Sequence, residues 1–493
     1  MKHLEIERKF LLRPCSLKKF LKRHGLPYRA VPIEQFYLRS DGNGSERYRR
    51  AGDRYIHTVK SAGGLVREER EEAVDEATYR RFRAQAASGL IEKTRYLVPF
   101  RGLTYELDAF HGALKGLRFL EVEFETLEAA EAFTLPDPFA RLLIAEVSSC
   151  PAFTNGALAR TLRLPTLSEG WERIRERLDA RKHVLKASTA VEFGPYEESG
   201  IAVRALLYTL LAAVEANRRA ILKGSADPER LHQLRVAMRK MRVIFDRFPE
   251  LFAEAWRREH GTALEMIMRT TGPLRDLDVA LERIPEYRRM LEGRYPQALE
   301  RLERVLKERR DAEAEDLRSF LARKRVEREL AALRALAGGE AVGILTERGK
   351  DPILPLAVPK LKRLHGKCLN AGRKLGKDSP RKAYHRMRIR IKKLRYLLEF
   401  FAATLDGKAA AEMLENLKRV QSVLGEYQDL TVQRGMLAAW EGDALFSGGK
   451  EAAMLKALDE ALEREAQKRR ARFHAVFDAF PDKTMLRRVI CRD

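Results

Sequence analysis

The sequence predicts an α+β protein with a strand-rich N-terminal domain and an all-helical C-terminal domain. Residues 1–165 contain short segments of alternating polarity separated by turn sequences. From about residue 196 onward, apolar residues recur every three or four positions instead, which is typical of amphipathic helices. A chain of 493 residues is also too long for a single hydrophobic core. We therefore predict domains at 1–165 and 196–493, joined by a polar linker at 166–195.

Turn sequences divide the strand-rich domain. DGNGS at 41–45, AGG at 62–64 and RG at 101–102 each fall between two alternating segments. One helix is predicted within this domain, over residues 75–88. The linker is polar and is interrupted by Pro and Gly, and we expect it to be partly helical.

The chain is strongly basic, with 95 Lys and Arg against 71 Asp and Glu. Residues 1–165 contain 28 basic and 22 acidic residues, which leaves 67 and 49 for the remainder. A polyanion is therefore the expected partner, mainly of the helical domain. Charge alone does not separate nucleic acid, an anionic membrane and polyphosphate.

Cysteine usage and the N-terminus predict a cytoplasmic protein. Cys15, Cys150, Cys368 and Cys491 are far apart and form no C-x-x-C pair, which argues against a disulfide scaffold or a zinc knuckle. The first residues are charged and lack the apolar segment of a signal peptide. The longest apolar run, around Ala205–Val214, is shorter than the ~20 residues that span a membrane. No membrane association is expected.

Charged residues in the strand-rich domain recur at a spacing of two, which places them on the same face of a strand. Their neighbours of opposite parity are often apolar. A solvated sheet face would show such charges too, but here acids and bases are sorted by strand. The thirteen residues concerned are Glu5, Glu7, Lys9, Arg47, Arg49, Lys60, Glu69, Glu71, Lys93, Arg95, Asp108, Glu121 and Glu123.

A sheet with one apolar face can close into a barrel whose charged face lines the interior. Unpaired charges are costly there, so the acids are expected to hold metal ions and the bases to hold an anion. Carboxylates without His or Cys suit Mg²⁺ or Mn²⁺. Six bases suit a ligand of high charge density such as a triphosphate.

The motif EIERKF, with Glu5, Glu7 and Lys9, resembles the signature of the CYTH family, also called triphosphate tunnel metalloenzymes. The match continues in order through QFYL (35–38), ERYRR (46–50), TVK (58–60), EREE (69–72), EKTR (92–95), ELDAF (106–110), LEVEF (120–124) and AEV…N…L (145–158). It implies an eight-stranded antiparallel β-barrel, or tunnel, with flanking helices. It also implies Mg²⁺- or Mn²⁺-dependent hydrolysis of inorganic triphosphate or a related triphosphate.

The resemblance also implies roles for the charged residues. The metal ligands would be Glu5, Glu7, Asp108, Glu121 and Glu123. The catalytic groups would be Lys9, Glu69 and Glu71. The triphosphate-binding residues would be Arg47, Arg49, Lys60, Lys93 and Arg95.

The helical domain contains an internal repeat at a constant offset of 153 residues. LHQLRVAMRKMRVIFDRF (231–248) aligns with YHRMRIRIKKLRYLLEFF (384–401), and GPLRDLDV (272–279) aligns with GEYQDLTV (425–432). We place the two halves at about 196–345 and 350–493. Asp227-Pro228 and Ser379-Pro380 are the predicted starts of the two basic helices.

Each basic helix carries a stripe of His, Arg and Lys on one face, since positions 0, 3, 7 and 10 of a helix are aligned. A solvated amphipathic face is the simpler explanation, but the duplication of the stripe favours a bound polyanion. These segments resemble the CHAD domain, which implies two four-helix-like halves that bind inorganic polyphosphate. The predicted polyphosphate-binding residues are His232, Arg235, Arg239, Lys240, Arg242, His385, Arg388, Lys392, Lys393 and Arg395.

The leading hypothesis is therefore a cytoplasmic inorganic triphosphatase with a polyphosphate-binding domain, and it can be associated with polyphosphate granules. The alternatives are a non-catalytic polyphosphate-binding protein, or thiamine-triphosphatase or adenylate cyclase activity in the tunnel. The basic helices lack interleaved aromatic residues, which argues against nucleic acid. The sequence contains no P-loop and no H-E-x-x-H motif.

Overall fold

The computed structural model describes residues 3–41, 44–61, 66–86, 88–180, 185–341, 343–376, 378–443, 446 and 448–491. The side chains of residues 3–5, 61 and 66–69 lie outside the described part. The predicted α+β organisation is confirmed: strands dominate the first 146 residues and helices the rest. The predicted turn at 62–64 falls outside the described residues.

Nine strands are present in the described part of the N-terminal domain. They are β1 (His3–Leu12), β2 (Arg29–Asp41), β3 (Gly44–Ala51), β4 (Arg54–Ser61), β5 (Val66–Val74), β6 (Ile91–Phe100), β7 (Leu103–Phe110), β8 (Arg118–Phe124) and β9 (Leu143–Glu146). All pair antiparallel in the order β5-β4-β3-β2-β6-β7-β8-β1-β9.

The sheet curls until its two ends meet on β1. Residues His3–Ile6 of β1 pair with β5, while Phe10–Leu12 pair on the same edge with β9. The first eight strands therefore form a ring that is joined along four residue pairs. The eight-stranded prediction did not include β9. This strand pairs with the part of the β1 edge that lies beyond the residues paired with β5.

The helices of the N-terminal part cover the outside of the sheet or lead away from it. They are α1 (Leu17–Arg23), α2 (Glu76–Gln85), α3 (Leu127–Ala132), α4 (Asn155–Thr161) and α5 (Trp171–Asp179). Asp75 caps α2, as its carboxylate accepts a hydrogen bond from the backbone N–H of Thr78, so the helix predicted over 75–88 is confirmed. The predicted turn at Arg101-Gly102 connects β6 and β7 with positive φ at both residues.

The C-terminal part is largely helical in its described residues. Its helices are α6 (Ser199–Leu222), α7 (Pro228–Arg247), α8 (Glu254–Thr270), α9 (Gly272–Glu282), α10 (Ile284–Met290), α11 (Pro296–Leu321), α12 (Lys324–Gly338), α13 (Ile353–Arg373), α14 (Arg381–Phe400), α15 (Gly407–Glu441), α16 (Gly449–Phe477) and α17 (Lys483–Cys491).

The structure reproduces the repeat offset. Helix α7 spans residues 228–247 and α14 spans 381–400, so both ends differ by 153. Asp227 caps α7 as predicted, because its side chain accepts a hydrogen bond from the N–H of Glu229. The second predicted cap is wrong: α14 begins after Pro380 without a side-chain cap, and the Ser379 hydroxyl accepts from the N–H of Gly376 instead.

Within the described residues, one helix is long and apolar enough by length and composition to cross a membrane. This helix is α6, and 67% of its most apolar window is buried inside the protein. It packs against α7 and α12. Burial of this kind is expected of the central helix of a bundle, which is apolar on every side.

Candidate active site and polyanion channel

A cluster of buried charges occupies the inside of the curled sheet. Lys9, Lys93, Arg95, Asp108 and Glu121 are each at most 9% exposed. They come from four strands, β1, β6, β7 and β8, and they have the parity opposite to that of the apolar residues on the outside of the sheet. The alternation that predicted an inward charged face is thus confirmed for these residues.

These charges pair with one another. Arg95 donates to Asp108 through Nε (2.8 Å) and Nη2 (2.7 Å), and Nη2 also donates to Glu121 (2.5 Å). Lys93 Nζ donates to Asp108 Oδ2 at 2.5 Å, and Lys9 Nζ lies 2.9 Å from Glu121 Oε1. The sequence argument assigned acids to metal and bases to phosphate, but in the protein alone they compensate each other. Burial of these charges therefore does not by itself require a bound ligand.

The pKa values follow from burial and from this pairing. Burial would lower the pKa of Lys9, but the charges of Glu121 and Glu7 outweigh it and raise that pKa. Burial lowers the pKa of Lys93 to about 8, although Asp108 opposes the shift. Burial would raise the pKa of Glu121, but Lys9 and Arg95 hold it well below its ordinary value. Lys93 is thus the buried cation whose charge is lost most readily.

One end of the interior is apolar and filled. Leu11, Ile91, Phe110 and Phe119 form a buried cluster with Tyr196, which follows the linker. Lys9 Nζ lies 5.5 Å from the ring centre of Phe119, and Lys93 Nζ lies 5.4 Å from that of Phe110. The charged part of the interior therefore borders an aromatic floor, because strand residues beyond the charged pairs keep the inward parity but are apolar. We call the charged part above this floor the cavity.

The open end carries further charges. Glu7 on β1 lies directly opposite Glu123 on β8, and Glu123 is exposed. Arg47 Nη2 lies 3.4 Å from Glu71 Oε1, and the Thr58 hydroxyl donates to the same oxygen at 2.9 Å. Burial would raise the pKa of Glu71, but the hydrogen bond from Thr58 and the charge of Arg47 lower it, so this carboxylate is ionised.

Two further arginine and lysine positions belong to this region. Burial and the charges of Arg47 and Arg95 lower the pKa of Arg49 to about 10, so Arg49 lies close to both. Lys60 is half-buried on β4, two residues after Thr58. The predicted triphosphate-binding set of Arg47, Arg49, Lys60, Lys93 and Arg95 therefore comes from three strands, β3, β4 and β6.

The carboxylates at the open end have the donor chemistry for a divalent cation. Glu7 and Glu123 face each other across two strands, and like charges in that position repel. Oε1 of Glu121 is buried, and the ammonium of Lys9 is its neighbour at 2.9 Å. Among the described residues, however, no three acidic, His or Cys side chains lie close enough together to hold a metal ion. The predicted ligand Glu5 and the predicted catalytic residue Glu69 have side chains outside the described part.

Asp108 is placed differently from the other predicted metal ligands. It is fully buried, and its two oxygens accept three hydrogen bonds from Lys93 and Arg95. This geometry indicates that Asp108 positions the two bases. A role of Asp108 as a metal ligand stays a prediction.

Sequence reasoning missed three polar residues of the cavity. Glu106 pairs with Arg95, Thr58 holds Glu71, and the fully buried Gln35 donates to the Tyr37 hydroxyl at 3.2 Å. Glu106 lies two positions before Asp108 and therefore has the same parity. This spacing could have identified Glu106 from the sequence. Burial raises the pKa of Glu106, so among these acids it is the one that protonates more readily.

The basic stripes of α7 and α14 lie close to each other. Burial lowers the pKa of Lys392 to about 7, and the neighbouring charges of Arg239, Arg388 and Arg395 add to this shift. Burial and the charge of Arg275 likewise lower the pKa of His232. Cations from both halves of the repeat therefore converge on one region, which we call the channel.

Polar groups at the end of α8 and on α15 hold several channel residues in place. His385 Nδ1 pairs with Gln428 at 2.8 Å, and Arg388 lies 3.9 Å from Asp429. Arg235 donates to the Thr271 hydroxyl and to the carbonyl of Met268. Asp429 therefore lies beside a channel base.

Lys240 departs from the prediction that it belongs to the channel. It is 6% exposed, its ammonium donates to the carbonyl of Ala187 at 2.8 Å, and it lies 3.0 Å from Glu399. Its helical position, one residue after Arg239, turns it into the protein. Three other predicted residues also have acidic partners: Arg242 pairs with Glu265, Lys393 with Asp246 and Arg395 with Glu399.

Comparison with known proteins agrees with both resemblances. A model of the CYTH domain matches residues 3–149, and a model of the CHAD domain matches residues 205–438. A protein of Nitrosomonas europaea named inorganic triphosphatase is 36% identical over 160 residues, which are 32% of this chain and 98% of that protein. One of the same name from Acetivibrio thermocellus is 32% identical over 158 residues, which are 32% of this chain and 93% of that protein.

A solved structure resembles the helical part. The CHAD domain from the plant Ricinus communis is 22% identical, covers 60% of this chain and 95% of its own, and superimposes with a TM-score of 0.51. At this identity the likeness shows the fold of the helical part, and the all-helical prediction is confirmed.

Proposed function

This chain belongs to the CYTH family and carries a CHAD domain after its CYTH domain, and from that premise we propose that it hydrolyses inorganic triphosphate in the charged cavity. The observation that carries the proposal is the buried network of Lys9, Lys93, Arg95, Asp108 and Glu121. Its bases are preorganised by carboxylates and sit above an aromatic floor that excludes water. Preorganised charge in a low-dielectric site is the main source of catalysis in phosphoryl transfer.

The bases would bind the phosphates. Lys93 and Arg95 are fixed by Asp108, so they lose little side-chain freedom when an anion binds. Arg47 and Arg49 lie on β3, and the charges of Arg47 and Arg95 act on Arg49, so the bases of the two strands are close together. Lys9, between Glu7 and Glu121, is placed to hold the phosphate that is transferred or leaves.

A divalent cation, Mg²⁺ or Mn²⁺, would bind where Glu7 lies opposite Glu123, and Glu5 and Glu121 are the further predicted ligands that would complete its coordination. Dependence on a metal is general among CYTH triphosphatases. When bound, such an ion neutralises phosphate charge and lowers the pKa of a bound water. Glu71, which Thr58 and Arg47 keep ionised, is placed to orient water and to accept its proton.

The helical domain would bind inorganic polyphosphate in the channel. Arg235, Arg239, Arg388 and Lys392 are cations from both repeat halves, and their mutual repulsion would be relieved by a linear polyanion. Binding should weaken steeply with added salt, since counterions are released from both partners.

A side-by-side substrate screen tests the catalytic proposal. We expect the purified protein with Mg²⁺ or Mn²⁺ to release phosphate faster from inorganic triphosphate than from thiamine triphosphate, ATP or polyphosphate. Glu121→Gln should abolish the release, whereas the exposed Glu128→Gln on α3 should leave it unchanged. Inactivity of the wild type on every substrate would favour a purely polyphosphate-binding protein. A preference for thiamine triphosphate, or cyclisation of ATP, would assign the cavity another reaction.

A further inference from the structure

A second basic surface covers the outer side of α13 and α14. From Ile353 to Leu398 the sequence contains 15 Lys and Arg and one acidic residue, Asp378. Protein surfaces normally intersperse the two signs of charge. The channel accounts for few of these bases, so most of them need another explanation.

The helical geometry separates this surface from the channel. On α14 the buried face is formed by Tyr384, Met387 and Ile391. The channel residues His385, Arg388 and Lys392 follow these by one position, whereas Arg386 and Arg390 precede them by one. Since each residue turns the helix by about 100°, the two sets lie on opposite flanks of the buried face.

Helix α13, which packs against α14, carries further exposed bases. The charge of Arg390 acts on the thiol of Cys368 on α13, so this flank of α14 faces α13. Arg363, Lys367 and Lys374 are exposed at spacings of four and seven, which align them along α13 and its end. We define the outer basic face by six residues: Arg363, Lys367, Lys374, Lys382, Arg386 and Arg390.

Within the part of the chain that the structure describes, none of the six side chains forms an ion pair or a hydrogen bond with an acidic residue. Several other surface bases of the helical domain have acidic partners, as in Arg301–Glu451, Lys307–Glu303 and Arg434–Asp459. An uncompensated cluster of this size is an electrostatic site for a polyanion.

The other half of the repeat provides an internal comparison. At the offset of 153 residues the counterparts are Leu210, Val214, Ile221, Glu229, Gln233 and Ala237. Four of these are buried, and none is basic. The channel residues, in contrast, are basic or His in both halves. The repeated fold therefore does not require bases on this face, and the channel does not require them either.

We propose that the outer basic face binds the continuation of a polyphosphate chain whose other part lies in the channel. This inference rests on the proposed polyphosphate binding and deepens it by making the protein selective for long chains. His385 at the edge of the channel stripe lies one helical turn from Lys382, so the two surfaces are continuous around the first turns of α14.

The chemistry of the face fits phosphate alone. Its six residues offer cations without aromatic rings for base stacking. A flexible chain can follow the path around α14, whereas duplex DNA, with a persistence length of about 150 base pairs, cannot bend around one helix. Duplex DNA and anionic vesicles are therefore the competing ligands to be tested.

The test compares two triple variants of the full-length protein without divalent metal, so that nothing is hydrolysed. One is Arg363→Gln/Lys367→Gln/Arg386→Gln on the outer basic face. The control, Lys324→Gln/Arg325→Gln/Arg328→Gln on α12, removes the same charge from other exposed bases. The probes are an oligophosphate of a few phosphates and long-chain polyphosphate, each titrated over a range of salt concentrations.

We expect the outer-face variant to bind long chains roughly ten- to a hundredfold more weakly than the control at about 0.1 M salt, with a salt slope smaller by about 2. Its affinity for the oligophosphate should be unchanged. Equal long-chain affinity in both variants would refute the inference, as would an equal loss for both probes. Loss of binding to duplex DNA or anionic vesicles alone would assign the face to that ligand and overturn the proposal.

The experiment distinguishes a failure of the proposed function from a failure of this inference. If the wild type binds neither probe, the channel does not bind polyphosphate and this inference falls with it. If the wild type binds both and Arg239→Gln weakens both, the channel is established, and the comparison of the two triple variants decides the outer basic face alone.

Discussion

Lys9 and Lys93 occupy corresponding positions at the base of the cavity, each above an aromatic ring, but their pKa values move in opposite directions. Lys9 lies near two carboxylates, Glu7 and Glu121, which raise its pKa. Lys93 shares Asp108 with Arg95, whose charge adds to the effect of burial and lowers the pKa of Lys93 to about 8. The same residue type is therefore a permanent cation at one position and a titratable one at the other.

A pH dependence of ligand binding follows from Lys93. Lysine is charged below its pKa, so the affinity for triphosphate should fall as pH rises through about 8, by at most about tenfold per pH unit. Lys93→Arg keeps the charge and should remove this fall. Calorimetric titration of both proteins with triphosphate, without metal, measures it. An identical pH profile for the two proteins would contradict the assignment.

Substitution of Asp108 should lower the stability of the protein most. Asp108→Asn leaves Lys93 and Arg95 buried without their carboxylate, and we expect the free energy of unfolding to fall by about 3–5 kcal/mol. Glu76→Gln, which breaks the exposed Arg80–Glu76 pair on α2, should cost less than about 1 kcal/mol. Urea unfolding measures both. Bound triphosphate should stabilise Asp108→Asn more than the wild type, because it returns negative charge to the two bases.

At the scale of single elements, the strands and the basic helices were predictable because each follows one strong period. The charged i, i+2 pairs fixed which residues of β1, β6 and β8 point inward, and the repeat fixed α7 and α14 together. Ser379 does not cap α14 because its hydroxyl accepts a hydrogen bond from the N–H of Gly376 in the preceding turn. The prediction that Lys240 belongs to the channel was wrong because sequence spacing does not reveal that Ala187 and Glu399 supply buried acceptors.

Adjacent residues of α7 should separate binding from stability. Arg239→Gln should weaken polyphosphate binding and leave the free energy of unfolding nearly unchanged, since its charge faces the channel. Lys240→Met should instead cost about 2–4 kcal/mol of stability, because a carbonyl and Glu399 lose a buried partner, while polyphosphate affinity is retained. Urea unfolding and polyphosphate titration of both variants provide the comparison. The reverse pattern would place Lys240 in the channel.

At the scale of the whole molecule, residues of the two domains contact each other. Arg13, just after β1, is buried and donates to the carbonyl of Thr404 beyond α14 at 2.9 Å. Arg163 pairs with Asp351 at 3.1 Å. Tyr196 completes the apolar floor of the cavity. Sequence reasoning predicted two domains but not these contacts, because the contacts join residues that are distant in the chain and have no shared pattern.

Tyr196 is the residue with which to test this joining. Tyr196→Ala empties part of the cavity floor and should lower the free energy of unfolding by about 3–5 kcal/mol. Its hydroxyl is buried without a hydrogen-bond partner, so Tyr196→Phe should be neutral or slightly stabilising. Thermal unfolding of both variants checks this. A harmless Tyr196→Ala would mean that the floor does not depend on the linker.

The central claim is that the cavity between β1, β3, β6 and β8 holds a triphosphate together with a divalent cation. A crystal structure with Mn²⁺ and a non-hydrolysable triphosphate analogue tests this most directly, because the anomalous scattering of Mn²⁺ locates the ion independently of the anion. We predict the ion at Glu7, Glu121 and Glu123, with the phosphates against Arg47, Arg49, Lys93 and Arg95. An analogue bound only elsewhere, with the buried ion pairs of Arg95 unchanged and no Mn²⁺ in the cavity, would contradict the account.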